Sequence, residues 1–211
     1  HLSGLTLTLS VELHPELDSV LASMPLVVAV DEPGDHRLDE CTRVLQPNDP
    51  RTVASNMTVN NEVGPVTDMA AVSKVVRREA AVAWLHTDAV QAACWIDLRE
   101  VTPLVDMLSL SAHKFGGPKG VGVLVVRGGA APAPIIRGGG QERERRSGTS
   151  NVAGIVAAAV ALAETDAERD VEVERVSALR TRLVESISSS VDVRETVPSS
   201  ASVPGVAHLC F

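Results

Sequence analysis

Apolar residues along the first part of the chain occur in short runs that alternate with polar segments. The runs with the length and composition of strands cover residues 5–11, 26–30, 52–59 and 83–86. Between them, spacing and cap residues predict helices at 15–24, 38–45 and 68–81, the last beginning at Asp68. Strands that alternate with helices predict an α/β fold with a mainly parallel sheet and right-handed crossovers.

The second part of the chain begins with two apolar runs, at 105–110 and 121–126, that flank a polar loop. A helical pattern then extends from Asn151 to about Ile187, with at most a break near 165–166. Two further strands are predicted at 191–193 and 206–211. We therefore expect a large domain at 1–165, incomplete at its N-terminus, and at 166–211 a linking helix with the start of a small, incomplete C-terminal domain.

Polar clusters follow three of the predicted strands. Asn60 and Asn61 follow the first, Asp88 follows the second, and the segment 111–114 follows the third. In a parallel sheet, ligands bind beyond the carboxyl ends of the strands. The three clusters are therefore expected to share one crevice.

Lys114 is the most distinctive member of these clusters. Only three of the 19 lysines and arginines are lysines, and this one lies between a histidine and a Gly-Gly-Pro turn. Pyridoxal phosphate requires a lysine amine for its aldehyde, a carboxylate for its ring nitrogen, and hydroxyl, imidazole or N–H groups for its phosphate. Lys114, Asp88 and Ser111 with His113 supply these groups, and Gln91 can bond the ring oxygen.

A glycine-rich segment at 138–149 precedes the long helix. Its glycines permit close backbone approach, and Ser147 and Thr149 lie just before the helix N-terminus. The segment therefore has the composition of an anion-binding loop.

Composition excludes several classes of function. The net charge of -8 argues against a nucleic-acid surface, and no apolar segment reaches the roughly 20 residues that cross a bilayer. Cys41, Cys94 and Cys210 are widely spaced and match no pattern of metal ligands or disulfides. We expect a soluble, cytoplasmic protein without a metal site, a nucleic-acid partner or a membrane partner.

Four motifs together resemble the cysteine desulfurases, a group within the class V aminotransferase family of fold-type-I pyridoxal phosphate enzymes. They are NNEVG at 60–64, HTDAVQ at 86–91, SAHKFGGPKGVG at 111–122 and GGGQERERRSGT at 138–149. Their order and spacing agree with the family from about residue 5 to the end of the chain. The resemblance implies a three-layer fold with helices on both faces of the sheet and part of a small α+β domain.

The resemblance also implies a role for each matching residue. Lys114 would carry the Schiff base, Asp88 would pair with the pyridine nitrogen, and Gln91 would contact the ring oxygen. Ser111 and His113 would bind the phosphate, and Asn61 would lie near the ring and the substrate carboxylate.

Two implied residues concern the surroundings of the site. Thr149 would reach the phosphate of a neighbouring subunit, which implies a homodimer. His14 is the nearest candidate for a histidine that stacks on the ring.

The activity implied is conversion of L-cysteine to L-alanine, with persulfide sulfur passed to an acceptor protein, as in iron–sulfur cluster assembly. The family's first phosphate loop would precede His1, and its nucleophilic cysteine and carboxylate-binding arginine would follow Phe211. The alternatives are a selenocysteine lyase or other class V enzyme, and a non-catalytic scaffold without cofactor.

Several residues are expected to be structural. His86 is assigned to the fold, Lys119 to the surface, and Asn60 to the closure of a turn. Cys94 and Cys210 are expected to be small core residues. The alanine-rich stretch 152–163 is expected to pack in the core.

Overall fold

The computed structural model describes residues 5–11, 26–31, 35–36, 52–127, 129–130 and 132–211. The predicted helices at 15–24 and 38–45, with His14 and Cys41, lie outside the described residues. Seven described strands form one sheet, in the order β3-β2-β1-β4-β5-β6-β7. They are β1 Leu5–Val11, β2 Leu26–Asp31, β3 Asp35–His36, β4 Thr52–Met57, β5 Trp84–Asp88, β6 Met107–Ser111 and β7 Gly122–Val126.

The parallel part of this sheet is its centre. β4 pairs in parallel with β5, and β5 with β6, whereas β1, β2, β3 and β7 join through antiparallel pairs. Antiparallel neighbours need only a short connection, whereas parallel neighbours need a crossover. The predicted parallel arrangement is thus found in the three strands whose ends carry the predicted site.

The first helix, α1 (Met69–Glu79), forms where the sequence predicts it. Asp68 caps it, because its Oδ1 accepts a hydrogen bond of 2.9 Å from the Ala71 N–H. The predicted inner positions are all buried, namely Met69, Val72, Val75 and Val76. They belong to the same hydrophobic core as Leu85 of β5 and Leu108 of β6.

The central strands have one buried face and one half-buried face. In β5, Leu85 and Thr87 are fully buried, whereas Trp84, His86 and Asp88 alternate with them and keep partial exposure. This alternation follows from the period of two along a strand. Asp88 therefore lies on the more open face of the sheet.

After the short helix α2 (Leu98–Val101), the long helix α3 spans Val152–Ser188 without a break. Asn151 caps α3 by accepting a hydrogen bond of 3.1 Å from the Gly154 N–H. None of the helices in the described part of the chain is long and apolar enough to cross a membrane.

The expected core packing of 152–163 is wrong for most of the stretch. Only Gly154 and Ala158 are buried there, with Ala161 and Leu162 half-buried. When a helical stretch is apolar on all sides, its sequence does not indicate which face packs against the core. The exposed large apolar side chains are Val152, Ile155, Val156 and Val160.

A two-stranded antiparallel sheet, formed by β8 (Arg194–Glu195) and β9 (Leu209–Cys210), follows α3. The strand predicted at 191–193 is wrong, because β8 begins only at Arg194. β9 lies within the strand predicted at 206–211. The buried Arg180 of α3 donates a hydrogen bond of 2.8 Å to the Val206 carbonyl and forms an ion pair with Glu195. The domain boundary at 165–166 stays a prediction.

Candidate functional site

The ends of β4, β5 and β6 meet at one edge of the sheet. Beyond the last paired residues, the Thr58 N–H donates to the Asp88 carbonyl at 2.9 Å, and the Ala89 N–H donates to the Ser109 carbonyl at 3.0 Å. These bonds tie each strand end to the next. The three polar clusters predicted from the sequence therefore lie side by side, with Asp88 in the middle.

The Asp88 carboxylate is held at the end of β5. Its Oδ1 accepts a hydrogen bond of 2.9 Å from the Val90 N–H, and none of the described groups donates to its Oδ2. Gln91 is half-buried in the turn that follows, between the fully buried Ala89 and Ala92. One carboxylate oxygen is thus fixed by the fold, and the other is available to a ligand donor.

Ser111 ends β6 and leads into a single turn of 3₁₀-helix, Ala112–Lys114. Ala112 is fully buried, whereas His113 and Lys114 are exposed. The Ser111 hydroxyl and His113 Nδ1 share a hydrogen bond of 2.8 Å. A hydroxyl, an imidazole and an amine therefore follow one another at the end of the strand that pairs with the Asp88 strand.

The glycine turn after Lys114 fixes the course of this loop. The Gly117 N–H donates to the Ala112 carbonyl at 2.8 Å, and a Cβ on Gly117 would lie only 3.0 Å from that oxygen. Gly116 adopts a positive φ of 81°. The turn therefore requires glycine at both positions.

Asn60 and Asn61 follow β4 and differ in what they contact. The Asn60 Oδ1 accepts hydrogen bonds from the N–H groups of Glu62 at 2.9 Å and Val63 at 3.0 Å. Asn60 therefore closes the turn, as predicted, while Asn61 is exposed at its tip.

The turn that carries Asn61 is hydrogen-bonded to residues 201–203. No sequence pattern predicts this contact. The Val66 N–H donates to the Ala201 carbonyl at 3.0 Å, and the Val203 N–H donates to the Gly64 carbonyl at 2.9 Å. Gly64 has a φ of 84°, and a Cβ there would lie 2.6 Å from the Ser202 Oγ. The position of the turn thus depends on residues 201–203.

The glycine-rich loop at 138–149 differs in part from expectation. Ser147, predicted to contact an anion, is buried, and its Oγ accepts a hydrogen bond of 3.4 Å from the Gly140 N–H, so its hydroxyl serves the loop itself. Thr149 is exposed, and no hydrogen bond joins it to the described side chains at the strand ends. The structure thus groups Asp88 and Lys114 at one edge of the sheet but leaves Thr149 unconnected to them within this chain.

His86, which the sequence assigns only to the fold, connects the three parallel strands through hydrogen bonds. Its Nδ1 lies 2.7 Å from the Ser55 Oγ of β4, and its Nε2 lies 2.6 Å from the Ser109 Oγ of β6. These three side chains join the three parallel strands on the face that also carries Asp88. Burial lowers the pKa of His86 from its ordinary value of 6.5, and the Asp88 carboxylate partly opposes that effect.

We expect the free energy of unfolding to fall as the pH drops from 6.5 toward the lower pKa of folded His86. In that range the unfolded chain binds a proton at His86 that the folded chain does not, so acid favours unfolding. His86→Asn should remove this contribution, which urea unfolding at pH values from about 5 to 7.5 would measure. The matched control is His113→Asn at an exposed position. An unchanged pH dependence in His86→Asn would contradict the expectation.

The donor set at the strand ends fits pyridoxal phosphate. Lys114 offers an amine, Asp88 offers a carboxylate with one oxygen free of described donors, and Ser111 with His113 offers a bonded hydroxyl and imidazole. These are the groups that the aldehyde, ring nitrogen and phosphate require. Among the described residues, no group of three or more histidine, cysteine, aspartate or glutamate side chains could hold a metal ion. The individual roles of the site residues stay predictions.

Comparison with known proteins finds relatives in sequence and in overall structure. A cysteine desulfurase from Gluconacetobacter diazotrophicus is 41% identical over 183 residues, which cover 83% of this chain and 45% of the relative. The solved structure of a NifS-like protein is 37% identical with a TM-score of 0.72, over 80% of this chain and 46% of that one. The structure of SspA in complex with cysteine is 37% identical with a TM-score of 0.52, over 59% of this chain and 35% of that one.

The chain thus spans less than half the length of these relatives. The likeness in structure confirms the predicted α/β fold class of fold-type-I pyridoxal phosphate enzymes. The aminotransferase class-V family model matches residues 25–208, which is most of the sequence. With this match, the resemblance that four short motifs indicated becomes a family assignment, and the chain belongs to the class-V aminotransferases, a family of pyridoxal phosphate enzymes.

Proposed function

We propose that the chain is the cofactor-binding part of a cysteine desulfurase. Such an enzyme converts L-cysteine to L-alanine and passes the sulfur, as a persulfide, to an acceptor protein. The observation that carries the proposal is the placement of Lys114, Asp88 and the Ser111–His113 pair at adjacent ends of parallel strands. The relative named as a cysteine desulfurase and the SspA structure with cysteine support the choice of substrate.

Lys114 and Asp88 have complementary roles in this proposal. Bound pyridoxal phosphate supplies an electron sink for the bond to the substrate Cα. The Lys114 amine holds the cofactor covalently and moves protons at the substrate Cα. Asp88 keeps a negative charge beside the ring nitrogen, and Gln91 donates to the ring oxygen.

The remaining residues orient the two ligands. The Ser111 hydroxyl and the His113 imidazole contact the phosphate as a bonded pair, and their mutual bond fixes the direction of the ring. Asn61, exposed at the tip of its turn, donates to the substrate carboxylate. His14 is proposed to stack on the cofactor ring, although it lies outside the described residues.

The active form is proposed to be a homodimer in which Thr149 contacts the phosphate of the partner subunit. Support comes from apolar side chains exposed before and at the start of α3. Ile135 is 97% exposed and Val152 is 66% exposed, and exposed apolar patches commonly mark interfaces. Thr149 lies between these two residues in the sequence.

The compartment and the sulfur acceptor are also proposals. We propose a cytoplasmic protein whose acceptor serves iron–sulfur cluster assembly. Support for a reducing compartment comes from the sequence, whose three cysteines are widely spaced and form no disulfide pattern.

Release of alanine from L-cysteine tests the proposal. The protein that contains this chain would be incubated with pyridoxal phosphate and L-cysteine, and alanine and sulfide would be measured over time, with L-selenocysteine in a parallel reaction. We expect alanine from L-cysteine in repeated turnovers. A protein that binds the cofactor at Lys114 but releases alanine only from selenocysteine would be a lyase of that class instead. A folded protein that binds no cofactor would contradict any catalytic role.

A further inference from the structure

We propose that Cys94 and Thr165 are positioning residues for Lys114. The Cys94 thiol donates a hydrogen bond of 3.3 Å to the Lys114 carbonyl, and the Thr165 hydroxyl donates one of 3.1 Å to the Phe115 carbonyl. Two consecutive carbonyls are thus held by two side chains that the family motifs do not include. The inference rests on the proposed role of Lys114 as the residue that bonds the cofactor.

The peptide between Lys114 and Phe115 is the point at which the loop is anchored. The Lys114 side chain is exposed, whereas Phe115 is only 3% exposed and belongs to the hydrophobic core. Phe115 therefore fixes the C-terminal side of this peptide through packing, and Cys94 holds its carbonyl. Thr165 holds the carbonyl of the next peptide, that of Phe115. The Phe115 N–H of the same peptide donates to the Ala112 carbonyl at 3.1 Å. Loss of a side-chain donor leaves its carbonyl without that partner, so the segment that carries the Lys114 amine is held less firmly.

The two donors come from different elements that are themselves joined. Cys94 lies in the turn after β5 that also carries Gln91, and Thr165 lies in the middle of α3. The buried Arg169 of α3 donates a hydrogen bond of 3.2 Å to the Ala93 carbonyl, next to Cys94. The Lys114 peptide is thus held against a unit that includes both α3 and the end of the Asp88 strand.

The Cys94 thiol is suited to act as a donor. It lines a cleft of about 620 Å³ together with Phe115 and Thr165. Burial raises the pKa of Cys94 from its ordinary value, and nearby Arg169 opposes that effect more weakly. The thiol therefore keeps its proton at neutral pH and can donate it to the Lys114 carbonyl.

Paired substitutions separate hydrogen bonding from packing. Thr165→Val keeps the shape of the side chain and removes the donor, whereas Thr165→Ser keeps the donor. Cys94→Ala and Cys94→Ser form a second pair of the same kind. The chain would be mixed with pyridoxal phosphate and reduced with borohydride at intervals, and mass spectrometry would give the labelling rate at each lysine. Lys74 and Lys119, both exposed, provide internal standards.

Loss of one donor should slow labelling at Lys114 about fivefold relative to Lys119, because one hydrogen bond contributes about that factor to an equilibrium. The serine variants should label at close to the wild-type rate. The inference is overturned if Thr165→Val and Cys94→Ala both label Lys114 at the wild-type rate. It is also overturned if the serine variants are as slow as their partners, because the donor would then not matter.

Two further outcomes are informative. If Thr165→Val does not unfold cooperatively on heating, the Cys94 pair alone decides. If the wild-type chain shows no preference for Lys114 over Lys74 and Lys119, the proposed function fails and the inference falls with it. A clear preference with unaffected variants would overturn the inference alone.

Discussion

Replacing Lys114 with alanine is expected to abolish covalent binding of pyridoxal phosphate. In the protein that contains this chain, alanine release from L-cysteine should fall at least about a thousandfold, as it does when other enzymes lose the group that bonds covalently. Lys114 is exposed at the end of its 3₁₀ turn, so its truncation leaves the core intact. The measurement is the visible absorbance of the bound cofactor, together with its retention after borohydride reduction and unfolding.

Lys119→Ala is the matched control for this experiment. Lys119 is exposed in the same loop, and its amine has no role in the proposed site. This variant should bind the cofactor like the wild type and unfold at the same temperature. Cofactor that remains covalently bound to Lys114→Ala, at Lys74 or Lys119, would show that Lys114 is not the attachment point.

Asp88→Asn is expected to lower the rate of alanine release about a hundredfold or more without removing the cofactor. Asparagine has the same shape and can still accept the hydrogen bond from the Val90 N–H, so the strand end should keep its structure. It carries no negative charge, so the ring nitrogen loses its stabilising partner, and a preorganised charge of this kind contributes a factor of about 10²–10³. Cofactor binding and turnover would be measured on the same samples.

The same substitution has a second, independent readout in the pH dependence of stability. The Asp88 carboxylate raises the pKa of His86 against the larger effect of burial. In Asp88→Asn the pKa of His86 should therefore fall further, and acidification below pH 6.5 should destabilise the fold more than in the wild type. Asp170→Asn, at an exposed position on α3, is the control. Full turnover by Asp88→Asn would contradict the assignment of the carboxylate.

The sequence contains enough information to predict the centre of the sheet and the polar clusters at its edge. Apolar runs of strand length end at Asn60, Asp88 and Ser111, and the carboxyl ends of parallel strands meet. α1 was equally predictable, because its cap and its buried positions follow a helical period. These features are local, or depend on one general rule of topology.

What the sequence does not show are contacts between distant segments. The hydrogen bonds from Cys94 and Thr165 to the Lys114 and Phe115 carbonyls are an example. Neither donor lies in a recognisable motif, and no spacing rule connects its position with that of Lys114. The hydrogen bonds of His86 with Ser55 and Ser109 depend on the register of the three strands, which is fixed only in the folded sheet. The exposed face of α3 was mistaken for core, because an alanine-rich stretch lacks the polar positions that mark a surface.

The bonds between the Asn61 turn and residues 201–203 also bear on the order of folding. Contacts between segments far apart in sequence form slowly, because closing a long loop costs more conformational entropy than closing a short one. The strand ends that carry Asp88 and Lys114 can assemble from neighbouring segments, whereas the Asn61 turn gains its bonds from Ala201 and Val203 only after those residues have been synthesised. A nascent chain should therefore acquire the capacity to hold the cofactor before it acquires the capacity to recognise a substrate carboxylate.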